Sequence, residues 1–171
     1  MTTVNAQSTS DQIISLGYFG QAAYQPGVRL SWQKDLKSLN GNDLKSTSLF
    51  IQPSLAFSSR PLVHSSLLAT IELGYRRVKL EKEKFMAFSV GLGYLSQWQV
   101  TDIRVQLSDG SLEKSRERWG YFLPTINYGI GDRIGQSRFG WYGKISVGQK
   151  LFSEQASATI FFIELGAQFY L

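Results

Sequence analysis

Apolar side chains alternate with small, polar or charged ones in one segment of this sequence after another. In the C-terminal segment 159–171, Phe161, Ile163 and Leu165 share one parity, and Glu164 belongs to the other. A period of two residues is typical of a β-strand whose two faces meet different surroundings. The same alternation recurs in four further segments, which are 49–60, 67–76, 86–95 and 138–151. The pattern therefore predicts an all-β protein.

The two faces of these strands have the character of membrane-spanning strands. One face is apolar and carries aromatic residues, and the other carries glycine, polar and charged residues, as expected with lipid outside and a filled lumen inside. No apolar run in the 171 residues approaches the roughly 18 residues of a spanning helix. We therefore predict an antiparallel up-and-down transmembrane β-barrel of about eight strands. The predicted strands are approximately 26–38, 46–60, 65–80, 84–96, 99–108, 115–131, 137–152 and 157–171.

The N-terminal part has a different character from the rest. We expect residues 1–23 to form a flexible segment with a possible short helix, and residues 24–171 to form the barrel. The stretch "QIISLGYFGQAAY" is compatible with either a short helix or an early strand. Val4 and Ala6 have the spacing that a signal peptidase prefers, which predicts Gln7 as the first mature residue.

Two prolines interrupt predicted strands. Proline has no N–H group to donate to a β-ladder, so we expect a bulge or a missing hydrogen bond at Pro53 and at Pro124. Glycines on the lumen face are expected to make room for large neighbours such as Tyr142 and Phe162.

The motifs "QPGVRLSW", "VGLGYL" and "LPTINYGIG" complete the pattern. With them, residues 24–171 resemble the small eight-stranded outer-membrane β-barrel proteins of bacteria, with OmpA-domain or OmpX-like architecture. The resemblance implies a location in the outer membrane of a Gram-negative bacterium. It implies no activity.

The lumen face carries several charges that a narrow eight-stranded barrel must neutralise. We predict a salt-bridged plug, with an ion pathway as the alternative. The residues of this predicted network are Arg29, Glu72, Arg76, Arg138, Lys144 and Glu164.

The only histidine lies in the stretch "VHSSLL". His64 with Ser65 or Ser66 could form a base–nucleophile pair, and lipid A deacylases are small barrels with a His-x-Ser arrangement. However, the predicted strand series places His64 in a periplasmic turn, away from outer-leaflet lipid A, and only Glu72 could approach as an acidic partner. We therefore expect no catalytic residue and no enzymatic activity. A single His and no Cys also predict neither a metal site nor a cofactor.

The net charge of +5 suggests anionic partners. Basic residues near the predicted outer rim alternate with glutamates, so we expect contact with the phosphates of lipopolysaccharide and no binding of nucleic acid. These residues are Arg76, Arg77, Lys79, Lys82, Lys84, Arg104, Lys114, Arg116 and Arg118. A second predicted surface lies on the outward face of strands six and seven, where small residues could admit another outer-membrane protein or ordinary lipid. Its residues are Gly120, Phe122, Pro124, Gly143 and Ile145.

These observations favour a non-enzymatic outer-membrane barrel, acting as a structural component or accessory subunit of a larger cell-envelope complex. A lipid A-modifying barrel enzyme is the alternative. A soluble ligand-binding barrel of lipocalin type is a third possibility, and it would bury the apolar parity that the membrane barrel exposes.

Overall fold

The computed structural model of the chain is built from β-strands. It describes residues 12–21, 25–42, 45–60, 63–79, 81, 83–99, 103–106, 112–115, 118–134, 137–151 and 158–171. The strands are β1 Gln12–Gln21, β2 Gln25–Asn42, β3 Lys45–Arg60, β4 His64–Lys79, β5 Lys84–Gln99, β6 Ile103–Gln106, β7 Leu112–Ser115, β8 Arg118–Arg133, β9 Phe139–Gln149 and β10 Thr159–Tyr170. Within these ranges, no helix is long and apolar enough to cross a membrane.

Eight of the strands close into an antiparallel barrel. Their order around the barrel is β1-β10-β9-β8-β5-β4-β3-β2, and β6 pairs only with β7 in a separate two-stranded sheet. The first and last strands meet, with Ile13 opposite Tyr170 and Gly17 opposite Gly166. The predicted all-β, eight-stranded antiparallel barrel is confirmed.

The predicted number of barrel strands, eight, is correct, but the segments that form them differ from the prediction. The ambiguous stretch forms β1, which closes the barrel, so the barrel starts before the expected boundary at residue 24. The predicted strand 99–108 is not a barrel strand, because β6 lies in the separate sheet between β5 and β8. Residues 1–11, including the expected cleavage motif, lie outside the described part of the chain.

The apolar parity of the strands faces outward. Leu92 is 68% exposed and Leu16 is 59% exposed, whereas Glu72 and Glu164 on the lumen face are 1% exposed. A soluble ligand-binding barrel would show the reverse, so the lipocalin-type alternative is wrong.

Aromatic side chains on the outward face gather near both ends of the barrel wall. Two ring pairs, Phe57–Trp98 and Tyr94–Phe122, lie near one end, and Tyr75–Phe88 and Phe139–Phe169 lie near the other. Outer-membrane barrels carry such aromatic girdles where the membrane meets water. We call the apolar wall between the two girdles the lipid belt.

Both in-strand prolines interrupt a ladder without shifting its register. The pairing of β2 with β3 stops at Ser31↔Ser54 and resumes at Lys34↔Ile51, so Pro53 falls in the gap. The pairing of β8 with β9 stops at Thr125↔Gly148, and the bridge Phe122↔Leu151 lies beyond Pro124 in the same register. The expected missing bond is confirmed at both positions.

Candidate functional site

The two ends of the barrel differ in the length of their connections. One end carries the connections 43–44, 80–83 and 134–138, together with the start of β1 and the end of β10. The other end carries the connections 22–24, 61–63, 100–117 and 150–158. Because outer-membrane barrels have short periplasmic turns and longer extracellular connections, the second end corresponds to the outer end.

This orientation reverses the side to which we assigned His64. The predicted strand series lacked β1, and adding one strand at the start reverses the direction of each strand from β2 to β5. His64 opens β4 directly after the connection 61–63, so it lies at the outer end instead of the periplasmic end.

Four polar side chains form a hydrogen-bonded cluster in the lumen at the outer end, which we call the mouth cluster: Gln25, Ser58, His64 and Ser66. The His64 Nε2 and the Gln25 Oε1 are 3.0 Å apart. The Gln25 Nε2 donates to the Ser66 Oγ at 2.9 Å, and the Ser58 and Ser66 Oγ atoms are 2.7 Å apart. Gln25 therefore separates the predicted base from the predicted nucleophile.

The other candidate serine belongs to a different pair. The Ser65 Oγ lies 2.9 Å from the Ser59 Oγ, and these two residues are opposite each other on β4 and β3. The structure therefore connects His64 with Ser66, through Gln25, rather than with Ser65.

The charges around His64 are positive. In the strand register, His64 lies opposite Arg60 on β3 and Gln99 on β5. This row of residues is nearer the outer end than Trp98 of the aromatic girdle, so His64 lies outside the lipid belt. Burial lowers the pKa of His64, and the positive charges of Lys150 and Arg60 lower it further. The imidazole is therefore neutral at neutral pH, which is the form that accepts a proton.

Lys150 borders the mouth of the lumen. Its Nζ donates to the Gln97 Oε1 at 2.9 Å and lies 4.4 Å from the ring centre of Tyr121. Burial lowers the pKa of Lys150.

An apolar layer lies below the mouth cluster and separates it from the acidic residues of the lumen. Its members are Phe19, Ala56, Leu68, Leu95, Leu123, Ile160 and Phe162, with the rings of Phe19 and Phe162 stacked at 5.0 Å. On β4, Leu68 belongs to this layer and lies between Ser66 and Glu72. Glu72 therefore does not orient the imidazole of His64.

The predicted charge network is assembled below this layer by four of its six residues. The Glu72 Oε1 is 2.6 Å from the Arg29 guanidinium and 3.1 Å from the Lys144 Nζ. The Glu164 Oε2 lies 3.3 Å from both cations, at ion-pair distance, and the Tyr142 hydroxyl donates to the Glu164 Oε1 at 2.5 Å. Two carboxylates and two cations thus neutralise one another.

The other two predicted members lie elsewhere. Arg76 donates to the Tyr170 hydroxyl at 2.9 Å and lies 4.0 Å from the ring centre of Phe85, near the periplasmic end. Arg138 is exposed just before β9. Parity identifies which side chains point inward, but the height of each residue along the tilted strands decides which of them meet.

The predicted basic rim also divides between the two ends. Arg76, Arg77, Lys79 and Lys84 lie beside the connection 80–83, on the periplasmic end, so they cannot contact lipopolysaccharide. Arg118 lies at the outer end, as do Arg60 and Lys150. Lys82 and Arg116 fall outside the described residues, and the side chains of Arg104 and Lys114 are not described.

The predicted lateral surface lies on the outward face of β8 and β9, but its glycines leave no opening. A Cβ atom at Gly120 would overlap the Tyr94 hydroxyl, and one at Gly143 would lie 3.2 Å from Leu165. Phe122 and Ile145 are 55% and 56% exposed. Contact with another membrane protein at this surface stays a prediction.

Gln25 was missed by the sequence analysis. It is 3% exposed and links His64 with Ser66. The available signal was its parity, because Gln25 continues the lumen-facing series of Arg29 on β2. In the described part of the chain, no three His, Cys, Asp or Glu residues are grouped to hold a metal ion. The expected absence of a metal and a cofactor stays a prediction.

No model of a known protein family matches the sequence, and no curated protein matches it. Among solved structures, the chain is similar to the crystal structure of the outer membrane enzyme PagL, with a TM-score of 0.55 and 12% sequence identity. The match covers 93% of this chain and 99% of that chain. At this identity the likeness establishes the fold, which is that of a small outer-membrane barrel. The finer OmpA-domain or OmpX-like architecture stays a prediction.

This comparison contradicts our main functional expectation. A non-enzymatic structural component or accessory subunit is the poorer interpretation, because the matching barrel is an enzyme. The finding agrees better with the alternative, a lipid A-modifying barrel enzyme.

Proposed function

We propose that the protein is an enzyme of the bacterial outer membrane that modifies lipid A, with Ser66 as the nucleophile and His64 as the general base. The observation that supports this most is the location of the mouth cluster at the outer end of the barrel. Lipid A occupies the outer leaflet, so its fatty acyl esters lie near this end. The main objection to catalysis at His64 was a periplasmic position, and the strand β1 removes it.

The proposed reaction is hydrolysis of an acyl ester. The Ser66 Oγ attacks the ester carbonyl while its proton passes to His64, and the proton then leaves with the alcohol of the sugar. Water next attacks the acyl-Ser66 ester while His64 takes one proton of this water, and His64 returns that proton to the Ser66 Oγ as the free fatty acid departs. No oxidant, reductant or metal is required.

Gln25 controls whether the two residues can meet. His64 and Ser66 are two positions apart on one strand face, roughly 6.6 Å between Cα atoms, and the Gln25 amide fills the space between their side chains. Ser66 is only 2% exposed. The proposal therefore requires the Gln25 side chain to turn away when the substrate binds, which opens Ser66 and lets it donate to the imidazole.

The positive charges of the outer end provide a second contact for the substrate. Arg60 and Arg118 are exposed there, and Lys150 lies at the lumen mouth. Charge-assisted hydrogen bonds to phosphate are among the strong polar contacts. We assign these residues to the phosphates of lipid A.

Mass spectrometry of lipid A tests the proposal. Host cells that express the wild-type chain should contain lipid A with one acyl chain fewer than cells with an empty vector. His64→Ala and Ser66→Ala should abolish this change. Gln25→Ala should retain it, because Gln25 only separates the pair.

Ser15→Ala is the matched control, since Ser15 is a buried lumen serine outside the mouth cluster. Identical lipid A in wild-type and empty-vector cells would contradict the proposal. So would full activity of Ser66→Ala.

A further inference from the structure

A groove of about 640 Å³ lies on the outward face of the barrel wall at Pro124. Its sides are apolar side chains of the lipid belt from β4, β5, β8 and β9, which include Ile71, Leu92, Ile126 and Val147. We call it the Pro124 groove. Its volume is within the range of protein sites for small organic ligands.

The proline explains why the wall is open at this point. The Phe122 carbonyl accepts a hydrogen bond at 2.9 Å from the N–H of Leu151, just beyond the end of β9, so the residue two positions later also faces the β9 side. That residue is Pro124, which has no N–H. The opposite position on β9 is Gln149, and the ladder is absent between them.

Glycines make the wall thin behind the groove. Gly91 on β5 and Gly148 on β9 line its back, on either side of Thr125 on β8. A Cβ atom at Gly91 would lie 2.7 Å from the Thr125 hydroxyl, and one at Gly148 would lie 3.1 Å from Leu123. These positions therefore admit no side chain without movement of the lumen packing.

We propose that the Pro124 groove binds one fatty acyl chain of a membrane lipid. The groove is continuous with the lipid belt, so hydrocarbon chains surround its entrance. An unfilled groove would forfeit dispersion contacts along its lining. A slender, flexible chain from the surrounding bilayer can lie along this groove on the outward face.

The polarity of the groove matches that of a lipid. Gln149 and Thr159, opposite each other on β9 and β10, line the outer end of the groove, whereas the lining toward Leu73 and Val90 is apolar. A lipid of the outer leaflet has its carbonyl groups toward the outer end and its methyl ends toward the membrane centre. We assign the outer end of the groove to the ester region and the Leu73 end to the chain terminus.

The inference does not depend on the reaction proposed at His64. The Pro124 groove and the mouth cluster have no residue in common. Failure of the lipid A assay would leave the groove and its occupant unchanged.

Photolabelling tests the proposal. The folded chain is placed in dimyristoyl phosphatidylcholine vesicles that contain a small fraction of phosphatidylcholine with a diazirine near the end of one acyl chain. After illumination, the labelled residues are mapped by proteolysis and mass spectrometry. Label should be several-fold denser at Leu73 and Val90, where the chain terminus is assigned, than at Leu16 and Leu30 on the opposite wall.

Tryptophan substitutions provide the second arm. Val147→Trp fills the groove from β9, and Ile126→Trp fills it from β8 if the first variant does not fold. Either should reduce label at the groove to the density of the opposite wall. Leu30→Trp, which adds the same ring elsewhere on the lipid belt, should not change it. Folding is checked in each case by the shift in gel mobility on boiling.

Equal label density around the wild-type barrel overturns the proposal, as does undiminished label in a folded groove-filling variant. A stoichiometric second protein, purified in mild detergent and cross-linked at the groove in place of lipid, overturns it as well.

Discussion

The centre of the lumen holds two carboxylates and two cations that have almost no contact with solvent. Arg29, Glu72 and Glu164 are each at most 3% exposed, and Lys144 is 8% exposed. Removing one partner of a buried pair leaves the other uncompensated, which costs far more than a surface ion pair contributes. The equal number of opposite charges therefore matters more than any single contact.

The first prediction at this scale concerns Glu72. Glu72→Gln should lower the free energy of unfolding by about 3 kcal/mol, because Arg29 and Lys144 then share one carboxylate. The effect should exceed that of Glu164→Gln, whose carboxylate lies farther from the same cations. Urea unfolding in detergent micelles measures both.

A double variant provides the control for this prediction. Glu72→Gln with Lys144→Met leaves one cation and one carboxylate, so it should recover part of the lost stability. A Glu72→Gln protein as stable as the wild type would contradict the role of charge balance.

Glycine positions show how closely the lumen is packed. A Cβ atom at Gly17 would lie 2.8 Å from the Tyr142 hydroxyl, and one at Gly166 would lie 2.8 Å from the same ring. The expectation that lumen glycines make room for Tyr142 is confirmed. The hydroxyl of Tyr142 in turn donates to Glu164.

At the scale of the strands, the two in-strand prolines allow a matched comparison. Both interrupt one ladder while the register continues. Of the two prolines, Pro124 lines the groove and Pro53 does not. Leu92 on β5 and Ile126 on β8 line the groove beside Pro124.

Pro124→Ala should restore a hydrogen bond between β8 and β9. The new N–H faces Gln149, and one backbone hydrogen bond contributes about 1 kcal/mol. Amide exchange in peptides covering 118–127 and 145–151 should become slower. Pro53→Ala should slow exchange only in β2 and β3, and unchanged exchange in both variants would argue against proline as the cause of the gaps.

The chain segment between β5 and β8 shows a limit of counting strands from the sequence. The sequence 99–108 alternates well enough to predict a barrel strand, yet β5 pairs directly with β8 from Lys84↔Asp132 to Trp98↔Arg118. The segment between them contributes the small sheet of β6 and β7. Local alternation predicts a strand but does not identify its partner.

At the scale of the whole molecule, the lumen is closed by two successive layers. The apolar layer lies nearer the outer end, and the charged network with its hydrogen-bonded neighbours lies below it. A cavity of about 30 Å³ beside Glu72 and Lys144 is large enough to hold water. No continuous aqueous path follows from this packing of the described lumen residues.

We therefore predict that the reconstituted protein gives no stable conductance in planar bilayers. The packed apolar layer excludes hydrated ions, and the network below it consists of paired charges. A porin added to the same bilayers provides the positive control. Sustained, ion-selective single-channel currents from the folded protein would contradict this view.

The alternating pattern by itself determined the fold class, which side chains of each barrel strand face outward, and the inward position of the four charges in the lumen network. It could do so because the period of two residues is a local property of an extended chain. Only the tertiary structure decided that Gln12–Gln21 closes the barrel, that His64 lies at the outer end, and that Arg29 and Lys144 pair with the glutamates while Arg76 does not. These outcomes depend on which strands pair and on the stagger between them, and both are set by contacts between residues far apart in the sequence.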